Sequence, residues 1–189
     1  VLMIADEIQT GIGRTGKMLA TDHENARPDI LVLGKALSGG VLPVSAVLCD
    51  DPIMLCLKPG EHGSTFGGNP LSAAVSTEAL KVVTDENLAI NAKNLGDIFR
   101  YEMSVFITQS NIVKLVRGKG LLNAIVINDS PESDTAWNIC LKLRDNGLLA
   151  KPTHGNIIRF APPLVMSEKQ LYDCIKIITE TLKTFESNN

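Results

Sequence analysis

The sequence predicts an α/β protein in which part of a larger, mainly parallel-sheet domain is followed by a smaller α+β domain. Two short runs, residues 1–5 and Ile30–Leu33, are apolar throughout, which is typical of strands buried on both faces of a parallel sheet. Helical periodicity then dominates residues 70–107. Beyond residue 110, strand-like runs alternate with two amphipathic helical stretches. The 189 residues, 44% of them hydrophobic, are enough for one substantial core or two small ones.

The first two predicted strands of the first domain each end next to a polar residue suited to chemistry. Asp6 follows directly after residues 1–5, and Lys35 follows Ile30–Leu33 after a single glycine. Ligands bind at the carboxyl ends of parallel strands in open α/β sheets. We therefore expect Asp6 and Lys35 to face a ligand at one edge of the sheet. The glycine-rich residues 9–16 fit no phosphate-binding motif and predict a tight loop.

The first domain continues with a third predicted strand at residues 44–48 and a short helix at residues 53–57. Residues 59–68 contain four glycines and no periodicity, which indicates a functional loop. Asn69 is then a good N-cap, with Pro70 at the first helical position. The helix that follows carries one apolar stripe, formed by Leu71, Ala74, Val75, Ala79, Val82 and Val83.

A second helix is predicted from about residue 86 to residue 107, and it joins the two domains. The remaining predicted elements are strands at residues 112–117 and 121–127, a helix at 134–146, strands at 148–150 and 157–160, and a helix at 168–185. Gly147 stands where a left-handed helix cap belongs. We therefore expect a large-domain part over residues 1–90, a connecting helix over 91–110 and a small domain over 111–189.

Composition argues against several classes of protein. The net charge is −3 and no segment is a block of like charge, whereas a nucleic-acid-binding protein carries a basic face. No apolar run approaches the roughly 20 residues that a membrane helix needs. We therefore expect neither a nucleic acid nor a membrane as a partner.

The cysteine and histidine residues do not have the spacing of a metal site. The cysteines form no CxxC pair, and the three histidines are isolated along the chain. Free thiols favour a reducing compartment. We expect the cytoplasm, with the mitochondrial matrix as the alternative. The four cysteines are Cys49, Cys56, Cys140 and Cys174.

Lys35 has two interpretations when its own surroundings alone are considered. A lysine just past a strand can reach solvent while its stem covers apolar surface. A lysine amine can also form a Schiff base with a carbonyl group. Asp6 favours the second interpretation, because a carboxylate facing such a lysine is the pair that pyridoxal phosphate requires. The aspartate then pairs with the protonated pyridine nitrogen of the cofactor.

Several motifs in order resemble the class III aminotransferases, which use the fold-type I pyridoxal-phosphate scaffold. These motifs are ADEIQTG at residues 5–11, GRTG at 13–16, PDI at 28–30, GK at 34–35 and GSTFGGNP at 63–70. The resemblance implies that Lys35 is the catalytic residue, which holds the cofactor and moves the substrate proton. It implies that Asp6 holds the pyridinium and that Gln9 contacts the ring hydroxyl side.

The resemblance also implies contacts outside the strand-end pair. Ser64 and Thr65 would bind the phosphate of the partner subunit's cofactor, which makes a homodimer or a higher homo-oligomer the expected assembly. Arg159 would take a substrate carboxylate, a role that suits a planar bidentate donor. Other interpretations stay open, since Gln9 could satisfy backbone groups, Ser64 and Thr65 could be turn residues, and Arg159 could form a structural ion pair.

Within the family the likeness is strongest to members that use ornithine. It rests on KPGEHG at residues 58–63, RGKGLLNA at 117–124, LRDNG at 143–147, AKPTHG at 150–155 and IRFAPP at 158–163. The implied reaction moves the terminal amino group of ornithine to 2-oxoglutarate, with acetylornithine or 4-aminobutyrate as alternative donors. Upstream family motifs are not among these residues, so we expect the C-terminal part of a longer protein. A catalytically incomplete polypeptide is the second hypothesis.

Overall fold

The computed structural model describes residues 1–186, which divide into two compact units. Unit 1 runs from Val1 to Ile90, and unit 2 begins at Asn91. No helix within the described residues is long and apolar enough to cross a membrane. Over the same residues there is no group of three or more histidine, cysteine, aspartate or glutamate side chains that could hold a metal ion.

Unit 1 contains a three-stranded sheet in the order β1-β2-β3. The strands are β1 (Ile4–Asp6), β2 (Ile30–Leu33) and β3 (Ala46–Cys49). β1 and β2 are parallel, with Asp6 opposite Val32, as expected from their apolar sequences. The predicted strand at residues 1–5 is therefore shorter in the structure and includes Asp6 as its last residue.

β3 differs from the parallel arrangement expected for the first domain, because it runs antiparallel to β2. A parallel neighbour needs a crossover connection, usually a helix. The segment between β2 and β3 holds only a 3₁₀ turn, Lys35–Ser38, and two left-handed glycines. The chain therefore turns back on itself instead of crossing over.

Two helices follow β3 in unit 1, α1 (Asp51–Met54) and α2 (Pro70–Asp85). The predicted cap of α2 is confirmed, since the Asn69 side chain accepts a hydrogen bond from the Ser72 N–H at 2.9 Å. The predicted apolar stripe of α2 is only partly covered within unit 1, since Val75, Ala79 and Val83 are half-buried and its other members are exposed. The buried residues of α2 are Ser72 and Ser76, and the helix packs against the 3₁₀ turn.

Unit 2 is a four-stranded antiparallel sheet in the order β4-β5-β7-β6, with helices packed on one face. Its strands are β4 (Val113–Lys119), β5 (Leu122–Ile127), β6 (Lys151–Thr153) and β7 (Ile157–Phe160). Its helices are most of α3 (Leu88–Ile107), α4 (Thr135–Asp145) and α5 (Glu168–Lys183). The α5 start is fixed by a capping box between Ser167 and Gln170.

Alternation along the strands separates the two faces of this sheet. Ile125, Ile127 and Ile158 have no exposed surface and lie in the core with the apolar sides of the helices. The rings of Phe99 on α3 and Phe160 on β7 have centroids 5.5 Å apart. The residues between these positions on β5 and β7 are half-buried and belong to the opposite face.

The strand predicted at residues 148–150 is wrong, because β6 begins only at Lys151. Gly147 adopts the expected left-handed conformation, with φ of 87°. The Leu148 N–H then donates to the Leu143 carbonyl at 2.9 Å and so closes the last turn of α4. Residues 147–150 therefore cap α4 and lead the chain away from it, and strand pairing starts only at Lys151.

Candidate active site

The ends of β1 and β2 bring Asp6 and Lys35 to the same edge of the unit 1 sheet. Asp6 is the last residue of β1 and is paired with Val32 of the parallel β2. The Glu7 N–H continues this ladder by donating to the Val32 carbonyl at 2.9 Å. Lys35 follows β2 after Gly34, and both Asp6 and Lys35 are exposed. A carboxylate and an amine are thus presented where α/β sheets bind ligands.

The backbone at Lys35 is held in an unusual conformation. Its φ of 42° lies in the left-handed region, which non-glycine residues rarely adopt. The 3₁₀ turn that begins at Lys35 ends in the buried Ser38, whose hydroxyl donates to the Leu42 carbonyl at 2.5 Å. A Cβ added at Gly39 would lie 3.5 Å from the Ala79 Cβ of α2. The turn that begins at Lys35 is therefore held by the Ser38 hydrogen bond and by its packing against α2.

Asp6 and Gln9 begin the loop that follows β1. The Asp6 Oδ1 accepts a hydrogen bond from the Ile8 N–H at 3.1 Å, which orients the carboxylate at the start of the loop. Asp6 is the residue at the strand end, and Gln9 is exposed in the turn beyond it. The tips of both side chains are accessible to a ligand.

Glu7 anchors this loop and is 3% exposed. Its carboxylate accepts a hydrogen bond from the Thr10 hydroxyl, and its Oε1 accepts one from the Thr21 N–H at 2.8 Å. Burial alone would raise the pKa of Glu7, but the hydrogen bonds from Thr10 and from the backbone of Ala20 and Thr21 outweigh it, so the pKa lies below its ordinary value. Glu7 is therefore a charged tether between the end of β1 and residues 20–21.

Ser64 and Thr65 lie in an exposed loop before α2. The Ser64 Oγ accepts a hydrogen bond from the Gly67 N–H at 2.9 Å. A Cβ at Gly67 would lie 2.8 Å from that oxygen, so the turn requires glycine there. Phe66, which follows Thr65, is 82% exposed. Both hydroxyl residues are thus exposed on unit 1, in the loop that precedes α2.

Arg159 belongs to unit 2, where it lies on β7 between the buried Ile158 and Phe160. It is half-buried and projects from the face of the sheet opposite the helices, paired with Ala124 on β5 and Lys151 on β6. Among residues 1–186 its side chain forms no ion pair. The described residues therefore contain no acidic partner for the structural ion pair that was the alternative interpretation of Arg159.

The family of the chain follows from comparison with known proteins. The family model described as aminotransferase class-III matches residues 1–182. The chain belongs to the class-III aminotransferases. The resemblance of the motifs at residues 5–16, 34–35 and 63–70 is thereby confirmed at the level of the family, and so is the α/β fold of fold-type I aminotransferases.

The chain is similar to class-III aminotransferases from several organisms. The mitochondrial ornithine aminotransferase of Rattus norvegicus is 61% identical over 185 residues, which cover 98% of this chain and 42% of the rat protein. Ornithine aminotransferase car2 of Schizosaccharomyces pombe is 57% identical over 183 residues, covering 96% of this chain and 41% of that protein.

Two solved structures superpose closely on this chain. Acetylornithine aminotransferase from Elizabethkingia anophelis has a TM-score of 0.94 at 63% identity and covers 98% of this chain and 46% of that chain. Plasmodium falciparum ornithine δ-aminotransferase has a TM-score of 0.94 at 50% identity, covering 100% of this chain and 48% of that chain. The chain therefore spans less than half the length of these class-III aminotransferases.

The sequence indicates the candidate ligand-binding residues more clearly than the residues that hold them in place. Asp6 and Lys35 follow apolar strand runs, so their place at the sheet edge was visible. The sequence does not indicate a positioning role for Ser38 or Glu7, because no local pattern relates them to the residues with which they form hydrogen bonds. In the sequence, Glu7 is a second carboxylate directly after Asp6. Because successive side chains point to opposite faces of a strand, Glu7 is expected to face the interior when Asp6 faces outward.

Proposed function

We propose that the protein transfers the terminal amino group of ornithine to 2-oxoglutarate, giving glutamate semialdehyde and glutamate, with pyridoxal 5′-phosphate as cofactor. The observation that carries the proposal is the strand-end pair of Asp6 and Lys35 in a chain of this family. The names of the rat and fission-yeast relatives support ornithine as the donor.

The residues at this edge of the sheet fit pyridoxal phosphate by their chemistry. An exposed primary amine can bond to the aldehyde carbon, and an exposed carboxylate on the neighbouring strand can accept a hydrogen bond from the protonated pyridine nitrogen. Gln9 in the adjoining loop has an amide that can meet the ring hydroxyl. A relative from Toxoplasma gondii is described with this cofactor at its active site.

The residues of this chain then have separate tasks in the reaction. When bound, pyridoxal phosphate supplies an electron sink for the carbanion left after the substrate carbon loses its proton. Lys35 Nζ holds the cofactor before the substrate arrives and afterwards accepts and returns that proton. Asp6 keeps the pyridine nitrogen protonated through its opposite charge.

The hydroxyls of Ser64 and Thr65 bind the phosphate of a second subunit's cofactor in this proposal. Their exposure supports a role toward a partner, with a homodimer as the working assembly. Unit 1 is accordingly assigned to the large cofactor-binding domain, and unit 2 to the small domain. Relatives from several organisms are named as mitochondrial, which favours the mitochondrial matrix over the cytoplasm.

Arg159 binds a substrate carboxylate through its planar guanidinium. It is half-buried without an acidic partner among the described residues, and such a group favours an anion from outside the chain. The two oxygens of a carboxylate match the fork of the guanidinium and fix the orientation of the substrate.

Acetylornithine is the second candidate donor, since one neighbour at 63% identity is described as an acetylornithine aminotransferase. Initial rates of the purified holoenzyme with ornithine, acetylornithine and 4-aminobutyrate, each at equal concentration with 2-oxoglutarate, decide between them. A higher kcat/KM for ornithine than for the other two supports the proposal, and the reverse order replaces ornithine as the donor.

The role of Lys35 is tested with Lys35→Ala and the control Lys81→Ala, which removes an exposed lysine on α2. Lys35→Ala should lose both the visible absorbance of the protein-linked cofactor and turnover, whereas Lys81→Ala should keep both. Asp6→Ala should lower kcat by about 10²–10³-fold, as expected for the loss of a preorganised electrostatic partner. An unchanged spectrum and rate in Lys35→Ala would remove the basis of the proposal.

A further inference from the structure

A row of cationic residues crosses the unit 2 sheet on the face opposite the helices. Arg117 on β4 is paired with Ala124 on β5, Ala124 with Arg159 on β7, and Arg159 with Lys151 on β6. Residues directly opposite each other on neighbouring strands project to the same face. The four strands thus place three cations and one small residue in a single line, which is named the cationic row.

The cations of the cationic row have no acidic counterpart within the described residues. Residues 1–186 contain no ion pair of Arg117, Arg159 or Lys151. Like charges directly opposite each other destabilise a sheet, and Lys151 stands directly opposite Arg159. An anion that binds between the two side chains offsets this repulsion.

We propose that Lys151 is a specificity-determining residue beside Arg159, and that the two side chains together take one carboxylate of a dicarboxylic oxo acid. The proposal rests on the function proposed above and extends it to the choice of acceptor. Cβ atoms of such a pair are about 5 Å apart, so both head groups can reach one carboxylate. Arg117 is separated from Arg159 by the Ala124 strand and adds a longer-range attraction.

The charge of the two substrates makes the effect of Lys151 selective. 2-Oxoglutarate carries two negative charges near neutral pH, whereas ornithine carries a net positive charge. An additional cation beside Arg159 attracts the acceptor and does not favour the donor. Since Lys151 is exposed, its attraction should weaken as salt is added.

The experiment measures kcat/KM for 2-oxoglutarate and for ornithine in the holoenzyme and in Lys151→Gln. The kcat/KM for 2-oxoglutarate should be about tenfold lower in the variant, because one hydrogen bond to a charged group is lost. Its kcat/KM for ornithine should not fall. Lys151→Arg should retain most of the acceptor value, and the control Lys169→Gln, an exposed lysine on α5, should match the wild type.

A second readout is the dependence of the acceptor kcat/KM on ionic strength, which should be less steep in Lys151→Gln than in the wild type. Equal acceptor values in wild type and Lys151→Gln would overturn the inference. An equal loss for both substrates would do so too, because it would indicate a structural role. A wild type without activity toward ornithine and 2-oxoglutarate would instead contradict the proposed function, so the two failures are distinguishable.

Discussion

Replacing Glu7 by alanine should release the loop that follows β1. The wild-type carboxylate accepts hydrogen bonds from the Thr10 hydroxyl and from the Thr21 N–H at 2.8 Å, and the residue is 3% exposed. Hydrogen bonds to charged groups stabilise a protein by about 1.5–3 kcal/mol each, and the free-energy cost of burying the charge must be subtracted from their sum. We therefore expect local opening of residues 7–24 to become about 2–3 kcal/mol easier.

Amide hydrogen exchange measures this opening directly, because protection reports the free energy of local unfolding. A change of about 2–3 kcal/mol corresponds to a protection factor of the Thr21 N–H that is roughly 30- to 150-fold lower. Glu7→Gln, which keeps one carbonyl acceptor, should give a smaller loss, and the exposed Glu86→Ala should give none. Wild-type protection at Thr21 in Glu7→Ala would refute the reasoning.

The contribution of Glu7 also has a defined dependence on pH. Its pKa is lowered in the folded protein from the ordinary value of 4.5, so the unfolded state takes up the proton more readily. The stabilisation is therefore fully present above the unfolded pKa and is lost as the pH falls through the folded pKa. Urea denaturation of wild type and Glu7→Gln should show a difference at neutral pH that shrinks once the pH is below 4.5.

Three further predictions concern stability and reactivity. Asn69→Ala should lower the free energy of unfolding by about 1 kcal/mol through loss of the α2 cap, measured by urea denaturation. Gly96→Ala should destabilise by about 3 kcal/mol, because its Cβ would lie 1.8 Å from the Gly120 carbonyl oxygen; a wild-type melting temperature would contradict this. Cys140 should react with a thiol reagent at pH 8 far more slowly than the exposed Cys56, since burial raises the pKa of Cys140 to about 11; equal rates would oppose it.

The sequence predicts those parts of the fold that depend on neighbouring residues. The Asn69-Pro70 start of α2 and the left-handed Gly147 after α4 are local, because caps and turns are set by side-chain chemistry within a few residues. The strands that end next to Asp6 and Lys35 are also predictable, since short apolar runs indicate strands. These two residues form the sheet-edge part of the candidate site.

The features that the sequence did not reveal depend on contacts between distant segments. The stripe of α2 is predicted from apolar periodicity, yet the buried residues of α2 within unit 1 are Ser72 and Ser76, and α2 packs against the 3₁₀ turn. The cationic row depends on the pairing register of four strands. Arg117, Lys151 and Arg159 are far apart along the chain, and no local period relates them.

The central claim is that Lys35 is the residue that holds pyridoxal phosphate. Reducing the holoenzyme with borohydride fixes the cofactor to the lysine that binds it, and proteolysis with mass spectrometry then identifies that lysine. The account predicts one pyridoxyl phosphate group per chain, carried by Lys35. A label on any other lysine, or a cofactor-loaded enzyme that gives no labelled peptide, would contradict it.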